Sequence, residues 1–169
     1  MPRVIEVTVP EASKIWQAVS KVYFADAYQV RLSRPTLSVE DAYAAILGHM
    51  PQWAKALMTV RGWAVAPFGL KHPNAERSPG ARYQVGQRAG LFTIQSIDPH
   101  EVIAGDDDKH LDFRVSVYKA APAGAETVTV STVVEIHNML GRVYIAIIKP
   151  FHRLIVRSMV QNAVDAGRL

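Results

Sequence analysis

The stretch from Glu135 to Arg168 constrains this chain more than any other. A run rich in valine and threonine, Val128 to Ile136, leads through His137 and Asn138 into a long amphipathic segment with a proline at position 150. β-branched side chains favour the extended backbone of a strand. An asparagine just ahead of helical periodicity is a good N-cap, because its side-chain oxygen can take a bond from a first-turn N–H. A strand that feeds the chain into a long terminal helix predicts that the helix packs across a sheet. Pro150 removes one i→i−4 bond and predicts a kink that lets the helix follow a curved sheet or shapes a cavity beneath it. Gly141 fits either a close approach of helix to sheet or a tight first turn.

The rest of the chain supplies that sheet. From Phe24 to Leu32 the residues alternate, with Asp26, Tyr28, Val30 and Leu32 on one side. Ser38 and Asp41 form a capping box that opens a helix running to about Leu47, with Gly48 as its stop. A second helix is expected from Pro51, with Trp53, Leu57, Val60 and Ala64 as its buried stripe and Pro67 to Gly69 as its end. His72 to Arg82 reads as a loop. Strand patterns follow at Arg82–Gln87, Leu91–Ile97, Glu101–Ala104, Leu111–Lys119 and Thr127–Ile136, with turns at Asp98–His100, Gly105–His110 and Ala120–Glu126. The order is one strand, two helices, a meander of antiparallel strands and one long helix. This predicts a single α+β domain over residues 1–169 with a helix-grip architecture, a curved antiparallel sheet wrapped around the C-terminal helix.

With 169 residues, 49% hydrophobic and 20% charged, the chain is long enough for a core without staples. It has no cysteine, which excludes disulfides, thiolate metal sites and thiol nucleophiles. No apolar segment reaches the length of a bilayer span and the opening residues carry no apolar leader, so a cytoplasmic protein without integral membrane contact is expected. From Asn138 onward Arg142, Lys149, Arg153, Arg157 and Arg168 stand against Asp165, which equals the whole net charge of +4. Val143, Ile147, Phe151, Leu154, Ile155 and Met159 form a broad apolar arc on the same segment, expected to be used by the core. The cations beside it are then expected to be a solvated helix face, with anionic lipid or an acidic partner as the alternative.

Chemical motifs are sparse. Nucleophile elbows, P-loops, zinc-protease helices and dinucleotide fingerprints are all missing. Asp106, Asp107, Asp108 and His110 have hard-cation residue types, but their spacing fits no calcium loop, so neither metal nor cofactor is expected. The basic stripe lacks the interleaved aromatics of a single-strand nucleic-acid binder. Asp112 and Arg114 share a strand face and are expected to pair across it.

His110 to Val117, Thr132 through His137, Asn138, Gly141, Arg142 and Tyr144, and Ile148, Pro150, Phe151, His152 and Arg153 resemble the bacterial domain-of-unknown-function family 2867. So do Asp26, Pro51, Trp53, Leu57, Met58, Gly69, Leu70 and Lys71. That family looks like part of the helix-grip superfamily of START and Bet v 1-like domains, and the resemblance implies small apolar ligands. The expected function is therefore non-enzymatic binding of an apolar or amphipathic small molecule or lipid between sheet and helix. Phe113, Thr132, His137, Tyr144, Phe151 and His152 would line the site, with Arg114 as polar anchor. The rivals are a cyclase- or aldolase-like enzyme with His137 or His152 as base, and an interaction module using the basic helix face. Oligomeric state is left open by the sequence.

Overall fold

The computed structural model describes residues 2–56 and 82–169. Among the described residues seven antiparallel strands form one sheet: β1 (Ile5–Val7), β2 (Phe24–Arg31), β3 (Arg88–Ala89), β4 (Phe92–Ile97), β5 (Glu101–Asp107), β6 (Leu111–Ala120) and β7 (Thr127–Ile136). Their spatial order is β1-β2-β7-β6-β5-β4-β3. From β3 to β7 the strands are a meander joined by short turns. β2 then pairs with β7 along its whole length, Phe24 opposite Val134 and Arg31 opposite Thr127. The architecture is the expected α+β helix grip.

Period-two alternation divides the sheet into two faces. One carries Tyr28, Val30, Val102, Ala104, Val115, Val117, Val128 and Val130. Against it pack α1 (Val39–Leu47) and the second half of the terminal helix, Met139–Asp165, through Val156, Met159, Val160, Ala163 and Val164. The opposite face is covered by a 3-10 helix, Lys14–Gln17, whose Ile15 is fully buried against Ala27, Ile103 and Val133. Burying that one side chain contributes about 2 kcal/mol.

The helix ends follow their capping residues. Ser38 accepts from the Asp41 N–H at 3.1 Å, while its hydroxyl donates to the Asp41 carboxylate at 2.7 Å. Asn138 accepts from the Gly141 N–H at 3.1 Å and donates through Nδ2 to the Lys109 carbonyl at 3.1 Å. A side chain on Gly141 would place its Cβ 2.2 Å from the His110 carbonyl oxygen, so the glycine serves close approach of the helix to the β5–β6 turn.

Several expectations need correcting. The three-residue β1 precedes the first expected strand. The strand expected at Arg82–Gln87 is only Arg88–Ala89, after a turn in which Gly86 takes a positive φ. Gly105 to Asp107 belong to β5 and not to a turn, because Gly105 pairs with Arg114 and Asp107 with Asp112. Residues 52–56 are helical, but Trp53 is 44% exposed while Ala54 is buried. Leu57, Val60, Ala64, the helix end at Pro67 to Gly69 and the loop from His72 to Ala81 lie outside the described residues. The largest correction concerns the terminal helix. Met159 is buried and Ile155 half-buried, but Val143, Ile147, Phe151 and Leu154 are exposed. The side that meets the sheet is instead Gly141, Ile145, Val156, Met159, Val160 and Ala163, because the apolar arc is wider than the one side a sheet can cover.

Candidate functional site

β2 alternates Phe24, Asp26, Tyr28 and Val30 toward the terminal helix, so a carboxylate stands in an otherwise apolar row. Asp26 is 5% exposed. Its Oδ1 lies 3.3 Å from His152 Nε2, on the half-buried side of the terminal helix. The His152 ring packs edge-on against Phe24, with centroids 5.9 Å apart. Across the ladder Asp26 stands opposite Thr132. Asp26 Oδ2 and Thr132 Oγ1 are both buried and have no hydrogen-bond partner among the described residues. Leaving a buried polar atom unpaired costs about 1–3 kcal/mol, so two register partners in this state on one face are an unusual concentration.

Two residues along β2, burial pushes the Tyr28 phenol up to about 12, and the neighbouring Asp26 and Glu6 carboxylates add to the effect. Phe24, Leu111, Val134 and Ile145 form an apolar cluster beside the pair, with Phe113, Ile136 and Tyr144 at its margin. The Phe113 ring meets Phe92 edge-on at 5.1 Å.

A second cluster marks the junction of β7 and the terminal helix. His137 Nε2 lies 3.1 Å from Asp112 Oδ2, and this hydrogen bond raises the histidine pKa above its usual value. An open hollow of about 220 Å³ is lined here by Ile136, His137, Asn138, Met139 and Arg142. On the opposite face of the sheet, Lys14, Gln17, Ala18, Gln95, Ser96, Ile103 and Arg114 line another, of about 250 Å³.

The expected site residues are thus divided. Phe113, Thr132, Tyr144 and His152 gather on the helix side of the sheet near Asp26. His137 stands at the junction, paired with Asp112, so the expected Asp112–Arg114 pair does not form. Arg114 lies on the other face, bonded to Asp107 at 2.6 Å and to the Phe113 carbonyl at 2.9 Å. Phe151 points outward, 44% exposed. Asp106 accepts from Thr93 at 2.7 Å and stands 3.5 Å from Arg88. Asp26 carried no assigned role in the sequence. Its signals are parity, a lone carboxylate in register with Tyr28 and Val30, and its place among the residues that resemble the family.

Residues 18–159 match the family described as "Protein of unknown function (DUF2867)". No curated protein matches the chain. The crystal structure of CalU16 from Micromonospora echinospora aligns with 99% of this chain and 92% of its own, at 11% identity and a TM-score of 0.32.

Proposed function

The chain belongs to the DUF2867 family of proteins of unknown function, and from that premise we propose that it binds an amphipathic small molecule between the Asp26 face of the sheet and the terminal helix. The observation that carries the reading is the facing pair of buried oxygens, Asp26 Oδ2 and Thr132 Oγ1, without a hydrogen-bond partner among the described residues and at the edge of an apolar cluster. A carboxylate oxygen without a partner is an acceptor for a hydrogen bond. The ligand end that meets Asp26 is therefore a donor, a hydroxyl or an ammonium, and its apolar part lies along Phe24, Phe113 and Tyr144. Sites of this kind combine apolar walls with a few fixed polar groups. Arg114, held by Asp107 on the other face, plays no part in this reading.

Native mass spectrometry of gently purified protein tests it, together with melting in the presence of dodecylamine, dodecanol and dodecanoate. Binding to the folded state raises the melting temperature. The amine and the alcohol raise it and the carboxylate does not, and Asp26→Asn removes the preference for the amine. No co-purifying compound and no shift with any probe would sink the proposal.

A second reading rests on the same contact. An imidazole held by a carboxylate is the arrangement of a general base, and His152 and Asp26 have it. It predicts that a captured compound changes mass on incubation with the protein and not with His152→Gln. An unchanged mass with both removes it.

A further inference from the structure

The terminal helix turns an apolar row away from the sheet. Val143, Ile147 and Leu154 are 51%, 60% and 56% exposed, and Leu140 and Phe151 are exposed beside them. At 3.6 residues per turn these five side chains fall within an arc of about 80° and run for about 21 Å. Arg142, Lys149, Arg153 and Arg157, all exposed, occupy a neighbouring arc along one flank. Asp165 is the only acidic residue in the helix, at its last position.

Local contacts leave this cationic flank in place. Arg142 lies 5.9 Å over the exposed Tyr23 ring and Lys149 lies 5.2 Å over Phe24, contacts that keep the charge. Arg153 stands 3.7 Å from Glu6, but both side chains are about half exposed, where such a pair is weak.

We propose that this face of the terminal helix docks on an anionic lipid surface, the apolar row entering the headgroup boundary and the four cations meeting lipid phosphates and carboxylates. The combination of an apolar stripe with flanking Lys and Arg is that of a helix lying in the membrane interface. Among the described residues no helix is long and apolar enough to cross a membrane, so this one lies on the surface. The row is a ridge along a helix, a shape that fits a plane better than a groove. A second copy packed antiparallel on the same face would set its four cations against these four. The proposal is independent of the ligand reading.

The test is co-sedimentation of the full chain with mixed phosphatidylserine–phosphatidylcholine vesicles and with phosphatidylcholine alone. The protein pellets with the anionic vesicles, stays in solution with the neutral ones, and is released as salt rises. Each cation near an anionic surface changes partitioning roughly fivefold, so Arg153→Gln with Arg157→Gln weakens binding about 25-fold. Ile147→Ser with Leu154→Ser abolishes the part of the binding that salt does not remove. All four positions are exposed, and circular dichroism checks that the variants fold. The lipid and salt comparisons on the unaltered protein stand without them. Failure to pellet with anionic vesicles at low salt overturns the proposal. So does a dimer in sedimentation velocity that the serine variants dissolve, which would give the face to a second copy.

Discussion

The imidazole of His137 stands 3.1 Å from the Asp112 carboxylate, and their hydrogen bond ties the end of β7 to the start of β6. Desolvation opposes the resulting rise in pKa but does not cancel it. A histidine whose folded pKa is raised stabilises fully below its unfolded value of about 6.5, and that contribution fades as pH rises through the folded value. NMR titration of the His137 ring follows this directly. Asp112→Asn lowers the pKa toward the usual histidine range, and an unchanged titration would show that the contact does not form in solution.

Tyr28 gives a second decline of stability with rising pH, in the alkaline range. Its phenol ionises near 10 in the unfolded chain and near 12 when folded. Between those values the unfolded state has lost the proton that the folded state keeps, so stability falls as pH rises. Chemical denaturation at a series of alkaline pH values shows the decline, and Tyr28→Phe makes it shallower. An identical slope in the variant would contradict the assignment.

Glu101 is 2% exposed on the face away from the terminal helix. It accepts from Ser13 Oγ, from Ser116 Oγ and from the Lys14 N–H, the last at 2.8 Å. Lys14 also pairs with Asp98 at 2.7 Å, so three contacts from Ser13 and Lys14 hold the N-terminal segment on the sheet. Glu101→Ala leaves buried donors without an acceptor and costs about 3 kcal/mol, read from the urea midpoint. A loss below about 1 kcal/mol would mean that the hydroxyls and the amide find other partners.

Gly141→Ala separates helix propensity from packing. In an exposed helix interior the change stabilises by about 0.5–1 kcal/mol. Here the new Cβ would lie 2.2 Å from the His110 carbonyl oxygen and 3.1 Å from Ile136 Cγ2, so a loss of about 2 kcal/mol is expected instead. A rise in melting temperature would refute the close approach.

Local signals were legible where local physics decides. The β7 bounds, the Asn138 cap and the start of the terminal helix follow from β-branched residues and one asparagine. Gly105 to Asp107 misled because glycine and aspartate are poor strand formers, yet cross-strand partners at 112 to 114 override that preference. The outward face of the terminal helix was illegible for another reason. Periodicity shows that an arc is apolar but not which part of it a sheet will cover. The candidate site was half visible. His152 stood out as a titratable residue on a helix, while its partner Asp26 is 126 residues away and joins it only through tertiary packing.

The strand order also sets a timetable. β2 precedes its long partner β7 by more than a hundred positions at Phe24 and Val134. The β3-to-β7 meander can close through short loops, whereas β2 must bear the entropy of a large loop before its pairing yields anything. During synthesis the segment Phe24–Arg31 therefore emerges from the ribosome before its long partner, with the three-residue β1 beside it. A strand of alternating apolar residues left waiting is open to pairing with another chain. Expression yield is accordingly most sensitive to substitutions in β2 that raise its β propensity, even where the finished fold would tolerate them.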